Sequence, residues 1–437
     1  MKVPDWAKNA TIYELNIRQF SKEGTFAKAT AGLKDIKGLG IDIIWVMPIF
    51  PISEKNRKCN EKETTECWGS HYAATSFKEV HPRYGTKDDF RAFMKEAHAL
   101  GLKVILDFVP DHTGWDCKWI TEHPEYYVKI DGKITTPIDP VSKKPTDWND
   151  VAMLDYSNKG LRAAIIDAHR YWITEFGVDG YREDVAGFVQ DDFWTELRSE
   201  LDKIKPVFML AEWGDNVNQL KTCFQMNYGW TFHFLLKDIA KGKKNADSLE
   251  TYFKTFKTKF PKESYQMQFT QNHDENTWNG TERESFGDAG DLFTALCFTA
   301  DGMGEIYNGQ EVSLDKRLSF FHKDQIDWAG KSRRAFISAL TGLKHHNKAV
   351  WNGAAGGELK RISTNNNQNI FAFTREKEGD KIVCIFNLSA KPQDITLKGG
   401  DFAGTFKNIL KNNTSYDLKA NANLKFGAWE CLILSTK

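Results

Sequence analysis

The chain has 437 residues, with 59 Lys plus Arg balanced by 59 Asp plus Glu, and is 41% hydrophobic and 27% charged. That balance gives no electrostatic footprint for nucleic acid or an anionic membrane, and no apolar run reaches membrane-spanning length, so neither is expected as a partner. The length exceeds one ordinary core and predicts two or three domains.

The N-terminus, MKVPDWAKNA, lacks the apolar segment of a signal peptide. Two readings follow: a cytoplasmic protein, or a mature form in which Met1 stands where a leader was removed. Fourteen Trp, thirteen Tyr and thirty Phe suit flat surfaces that stack on sugars, as well as large cores.

Along the chain, short β-branched runs alternate with amphipathic helical patterns. Thr11–Ile17 reads as a strand and 26–37 as a helix with Leu33 and Ile36 on one face. The run IDIIWVMP, 41–48, has the near-continuous apolar character of a strand covered on both sides. Thr86 is placed to cap a helix bearing Phe90, Phe93, Ala97 and Leu100, with Gly101 as its stop, and KVILDFVPDH follows as the third strand. Residues 111–150 break the rhythm with an Asp131-Gly132 hairpin signal. It resumes with a helix over 160–176, the strand preceding REDVAG, a helix over 193–204 and the strand VFMLAE. FQMNY, a helix near 249–260, YQMQFTQNHD, a helix over 290–299, GEIYNG and a helix over 333–346 complete eight strand–helix units. Eight is the closure number of a parallel barrel. After Trp351 the texture changes to antiparallel strands, among them NIFAFTRE, KIVCIFNLS, DITL and WECLILS. The expected fold is therefore a (β/α)8 TIM barrel over 1–110 and 151–350, with domain B inserted after strand three at 111–150. A C-terminal antiparallel β-sandwich over 351–437 completes it.

In such a barrel, function gathers at the C-terminal ends of the strands, and polar residues cluster there. Strand three ends in Asp107, Asp111 and His112, strand four in Arg182 and Asp184, strand five in Glu212, and strand seven in Asn272, His273 and Asp274. Two carboxylates flanking a bond suit glycoside cleavage. Asp184, two residues from Arg182 on one strand face, is suited to be an ionised nucleophile. Glu212, leaving an apolar strand beside Trp213, is suited to be the protonated acid. Glu183 between Arg182 and Asp184 points by alternation toward the helices, where a carboxylate needs a partner that the residue pattern does not name.

DFVPDH, GYREDVAG, LAEW and FTQNHD, in that order, resemble the four motif regions of the α-amylase superfamily, glycoside hydrolase family 13. IYELNIRQF, GSHYAATSFKEVHPRYGT and IYNGQE extend the resemblance over nearly the whole chain. The resemblance implies a retaining hydrolase of α-1,4-glucosidic bonds in starch-type glucans or malto-oligosaccharides. Asp184 matches the nucleophile, Glu212 the general acid/base and Asp274 the transition-state stabiliser. Arg182, His112, His273 and Asp107 match the residues around subsite −1, Tyr72 the tyrosine that stacks on the bound glucose, and Arg317 a further ligand there. Two alternatives within the family are an exo-acting α-glucosidase and a transglycosylase. From another class, an inactive carbohydrate-binding homologue is weighed and disfavoured by the intact acidic trio.

The chain departs from the family pattern where many members carry Lys-His after the nucleophile: Gly187 and Phe188 stand there, and Asp111 replaces a common asparagine. No metal ligand is assigned. No cofactor is expected to be required for chemistry, a structural calcium at the domain A/B junction is left open, and a monomer acting on oligo- or polysaccharide is expected. Cys223, Cys297, Cys384 and Cys431 lie in apolar runs and read as buried thiols. Cys59 and Cys67 bracket a charged loop and read as a disulfide. With the export common among glucan-degrading relatives, that pair favours a secreted or periplasmic protein over a cytoplasmic one.

Overall fold

A computed structural model describes residues 2–214 and 216–437; Met1, on which the removed-leader reading bears, lies outside them. Eight strands close a barrel: β1 (Ile12–Leu15), β2 (Ile43–Val46), β3 (Lys103–Phe108), β4 (Gly180–Glu183), β5 (Phe208–Ala211), β6 (Met226–Tyr228), β7 (Tyr265–Gln268) and β8 (Met303–Tyr307). Each pairs in parallel with its sequence neighbours, and β1 closes on β8 with Ile12 opposite Glu305. Period-two alternation sorts the side chains. Ile12, Ile43, Ile105, Phe208, Leu210, Met226, Tyr265, Met267 and Met303 fill the barrel's interior, while Tyr13, Ile44, Val46, Val104, Leu106, Tyr181 and Met209 face the helices. Gly180 opens β4 because nothing larger fits: a Cβ there would lie 1.9 Å from the Phe208 carbonyl oxygen.

Local signals set the helix ends. Thr86 and Asp89 form a reciprocal capping box on the helix Lys87–Ala99, and Asn158 caps Lys159–Phe176 through the N–H groups of Gly160 and Leu161. The helix Trp230–Ala240, between β6 and β7, was not legible in advance. Its sequence WTFHFLLKDIA does carry a stripe at helical spacing, with Phe232, Leu236 and Ile239 buried, but Trp230 and Phe234 lie off that face.

Between β3 and β4 the chain makes an excursion whose ends are tied by His112–Gly114 pairing antiparallel with Val151–Met153. Within it, Lys129–Ile130 and Lys133–Ile134 form the expected hairpin, with Asp131 and Gly132 both at positive φ. The C-terminal domain has a six-stranded antiparallel sheet and a separate two-stranded one, Gln393–Thr396 with Asn423–Phe426. Ile370, Ala372, Val383, Ile385 and Leu434 of the large sheet pack with Ile395 and Phe426 of the small one. The opposite residues, Phe371, Phe373, Ile382, Cys384, Phe386 and Ile433, join the core shared with the barrel helices. Arg375, buried, crosses that boundary. It donates from Nη1 to the carbonyls of Thr299 (3.0 Å) and Ala300 (2.5 Å), from Nε to Gly357 (2.8 Å) and from Nη2 to Trp351 (3.1 Å).

Cys223, Cys297 and Cys384 are buried as expected, whereas Cys431 is only partly so, because it opens its strand at the sheet margin. Glu183 finds its partner among the helices. Its Oε1 lies 3.0 Å from Nε2 of His169, and both side chains are fully buried. The other ring nitrogen of His169 is 2.8 Å from the Ile165 carbonyl, and the ring packs on Phe108 and Tyr181. The pair therefore pins the helix after the excursion onto the strand that carries Arg182. Replacing His169 by Phe should strand a buried carboxylate and cost about 3–5 kcal/mol. Glu183→Gln, which retains a hydrogen-bonding partner, should cost nearer 1 kcal/mol. Urea denaturation of the two variants checks the difference.

Candidate active site

The mouth of the barrel is built around Arg182, whose side chain is fully buried. Nη1 donates to Asp107 Oδ1 at 2.9 Å and to Asp184 Oδ1 at 2.6 Å, while Nη2 lies 2.9 Å from Glu212 Oε1. Nε donates to the Tyr228 hydroxyl at 3.1 Å, and the guanidinium carbon stands 5.1 Å from the centre of Trp45 and 5.6 Å from those of Tyr72 and Tyr228. β3, β4 and β5 supply the charged groups at matched register, Asp107 opposite Arg182 and Arg182 opposite Leu210, so parallel pairing alone brings them together.

Reading the motif as one arginine per carboxylate undercounts the acids. Three carboxyls share this guanidinium, and burial pushes Asp184 well above the usual carboxylate range, with Glu212 and Asp107 adding to the rise and Arg182 opposing it. Burial likewise lifts Asp107 to about 7 against the pull of Arg182 and His273. Asp107 and Asp184, both bound to Arg182 Nη1, titrate together.

Glu212 is oriented a second time, because Oε2 accepts the backbone N–H of Val185 at 2.8 Å. Val185 adopts φ 37° and ψ 46°, a left-handed conformation that a β-branched residue avoids. The strain is spent in aiming that N–H at the carboxylate of the neighbouring strand. Gly187 follows because the Trp213 ring lies where its Cβ would be, at 2.2 Å.

From β7, His273 lies with Nδ1 2.6 Å from Glu14 Oε1 and Nε2 2.8 Å from the Tyr72 hydroxyl. Burial pulls its pKa down, but the carboxylates of Asp274 and Glu14 outweigh this and carry it up to about 10. Tyr72 in turn donates to Asp107 Oδ2 at 3.2 Å and stacks on Phe320, with centroids 6.1 Å apart. Asp274, its side chain 32% exposed, is 3.5 Å from His273 Nε2 and is more open than Asp184 or Glu212. His112 is buried and sits edge-on to Trp148, which stacks on Phe188. Aromatic walls thus flank the acids: Trp148, Phe188 and Trp213 on one side, Tyr72, Phe320 and the half-exposed Trp278 on the other.

Arg317 is not part of this group. Its Nε and Nη2 bind the Glu284 carboxylate at 2.8 and 3.1 Å, and its side chain is about half exposed. The loop after β8 carries it to a neighbouring cavity of about 290 Å³, lined also by Asn60, Glu63, Trp278 and Phe320. Conversely, Trp45, Tyr228, Glu14 and Glu305 face the barrel interior near the site and were not singled out from the sequence. The usable signal was parity: each shares the inward alternation of an interior residue two positions before it on its strand.

The Cys59–Cys67 disulfide is present. His322, after β8, fastens its loop, with Nε2 accepting the Asn60 N–H at 3.0 Å and Nδ1 donating to the Thr65 carbonyl at 2.7 Å. At the junction of barrel and excursion the acids are engaged by protein groups. Asp116 Oδ2 accepts the N–H groups of Glu54 (2.6 Å) and Lys55 (2.8 Å) and the Ser53 hydroxyl (3.1 Å), and Asp111 Oδ2 lies 3.3 Å from His112 Nδ1. At Asp116 that donor-rich surrounding does not fit the oxygen cage a calcium ion needs.

A family model described as "Alpha amylase, catalytic domain" matches residues 16–381, and one described as "Maltogenic Amylase, C-terminal domain" matches 360–433. Alpha-amylase 3 of Dictyoglomus thermophilum is 25% identical over 88% of this chain and 85% of its own length. Among solved structures, a maltogenic α-amylase from Thermotoga neapolitana superposes with a TM-score of 0.86 at 27% identity, over 98% of this chain and 99% of that one. An α-amylase from Lactobacillus plantarum gives 0.85 at 29%, with the same coverage.

The central ion cluster has a direct test. Arg182→Met leaves the buried carboxyls without their cation and should destabilise the protein by about 3–5 kcal/mol. Thermal and urea melts would register it, whereas Arg317→Met, at an exposed pair, should change stability by less than about 1 kcal/mol.

Proposed function

The chain belongs to the α-amylase family of glycoside hydrolases, and from that premise we propose that it cleaves α-1,4-glucosidic bonds with retention, through a glycosyl ester on Asp184. The observation that carries this reading is the shared guanidinium: Arg182 holds Asp184 at 2.6 Å and Glu212 at 2.9 Å. Two carboxyls bound to one planar cation stay close, as direct attack requires, whereas inversion needs room for an intervening water.

In this mechanism Glu212 protonates the glycosidic oxygen as an oxygen of Asp184 attacks the anomeric carbon, and the C–O bond to the leaving sugar breaks. Water then attacks the anomeric carbon while Glu212 takes its proton, the C–O bond to Asp184 breaks to restore the carboxylate, and the free α-anomer leaves. Asp274 faces the cationic transition state, His273 and Tyr72 hold the sugar in subsite −1, and the aromatic walls receive the rest of the glucan. No step draws on a metal, since carboxyl groups supply both nucleophile and proton. The site is complete within one chain, which supports a monomer as the working unit. The disulfide supports an oxidising compartment.

Asp184→Asn should lower kcat on maltoheptaose by about 10⁴-fold or more, because an amide does not attack the anomeric carbon. Glu212→Gln should suffer far less on substrates with activated leaving groups than on maltoheptaose. NMR of the first-formed product should show the α-anomer, and the β-anomer would sink the retaining assignment. Two further measurements bear on the setting. Activity should survive exhaustive chelation, and thiol trapping of protein from its native compartment should find Cys59 and Cys67 unreactive.

A further inference from the structure

Beneath the reaction site the barrel interior holds two acids that the mechanism above does not use. Glu14, on β1, is fully buried, and Glu305, on β8, is 1% exposed. The β1–β8 register sets Ile12 opposite Glu305 and Glu14 opposite Tyr307, so the two acids are diagonal neighbours on the inner face. Glu14 faces one residue twice: Oε1 is 2.6 Å from His273 Nδ1, and Oε2 accepts the His273 backbone N–H at 3.2 Å. Neither oxygen of Glu305 has an N–H or hydroxyl partner among the described residues; its polar neighbour is the Glu14 carboxyl.

Drawn with Nδ1 as a donor, His273 presents two N–H groups to the Glu14 oxygens, which makes Glu14 the carboxylate of the pair. Two carboxyls meeting in a buried space with no other donor must share a proton, which places it on Glu305. On the far side of the ring, the Tyr72 hydroxyl donates its single proton to Asp107 Oδ2 and therefore accepts from His273 Nε2. With Nδ1–H facing Glu14 and Nε2–H facing Tyr72, both ring nitrogens carry protons.

Resting on the glycosidase reading, we propose that Glu14 is a positioning residue that, with a protonated Glu305 behind it, keeps His273 a two-proton imidazolium aimed at the substrate in subsite −1. A cation fixed there complements the acids of the site and, through Nε2–H, holds the Tyr72 hydroxyl in place. The groups that face the ring are Glu14, Asp274, Tyr72, Arg182, Asp107 and His71. Those that face Glu14 are His273, Glu305, Tyr228 and Tyr307. Burial and Arg182 disfavour the ring's charge, while Glu14 and Asp274 sustain it. Removing the Glu14 charge should therefore let the ring lose its proton at lower pH.

The test combines kinetics with a direct view of the ring. Glu14→Gln, which preserves shape and an acceptor, should lower kcat about tenfold or more, change KM by less than about threefold, and move the alkaline limb of the pH profile down by about one unit or more. In ¹⁵N-histidine spectra of the full chain at pH 8, assigned with His273→Gln, the wild-type ring should read as imidazolium and the Glu14→Gln ring as neutral. Glu305→Gln, whose amide still donates to Glu14, should keep the imidazolium signature. A neutral His273 in the wild type would overturn the proposal even if Glu14→Gln fails to fold, as would an unmoved pH profile in a folded Glu14→Gln. Loss of the signature in Glu305→Gln would place the charge on Glu305 and overturn the pair as drawn. If the wild type shows no glucan hydrolysis, the glycosidase reading fails separately, because the spectra do not depend on turnover.

Discussion

Arg182 is buried among Asp107, Asp184 and Glu212, and the remainder of the site is arranged to tolerate that concentration of charge. Acids this deep could not coexist without a cation that cannot give up its proton, and arginine is the side chain that meets the condition. A lone guanidinium would still be expensive to bury. Trp45, Tyr72 and Tyr228 pay part of that cost by turning their electron-rich faces toward it. The barrel interior is correspondingly divided. Aliphatic and aromatic residues fill one part of it, while the inward positions nearer the mouth are given to ionised and hydrogen-bonding side chains.

Much of this was legible because parallel strands impose simple geometry. Once eight strand–helix units are recognised, the residues at the strand ends must converge, and Asp107, Arg182, Asp184 and Glu212 do. What escaped sequence reading depended on contacts between distant segments. The partner of Glu183 is a histidine fourteen residues away on a helix face, and nothing in the spacing singles out His169 over other polar residues. Arg317 follows β8 as a site ligand would, yet the long loop there has freedom to turn it aside to Glu284. Glu14 looked like an ordinary strand residue; only closure of β1 on β8, together with the approach of β7, gives it a role.

Val185 shows how the backbone itself is enlisted. A residue with a branched Cβ stands at a left-handed position immediately after Asp184, where glycine would relieve the strain. Glycine would also loosen the chain that supplies the N–H to Glu212. The branched side chain restricts that loop, so the strain and the fixed direction of the donor have one cause. The neighbouring Gly187 makes the opposite choice, giving up a side chain so that the Trp213 ring can settle against the backbone.

Arg375 bears on how this molecule can be taken apart. It belongs to the C-terminal sheet, yet its guanidinium is committed to the last carbonyls of the helix Gly290–Thr299, which leads into β8. Cutting the chain before that sheet would leave a barrel with its helix terminus open and an apolar flank uncovered where Phe371, Phe373 and Phe386 had rested. The two family matches overlap over 360–381, the stretch that carries Arg375, and the two parts are not interchangeable modules. A graft that swapped this C-terminal sheet for a relative's would have to import an arginine at the same place, or redesign the end of the helix that receives it.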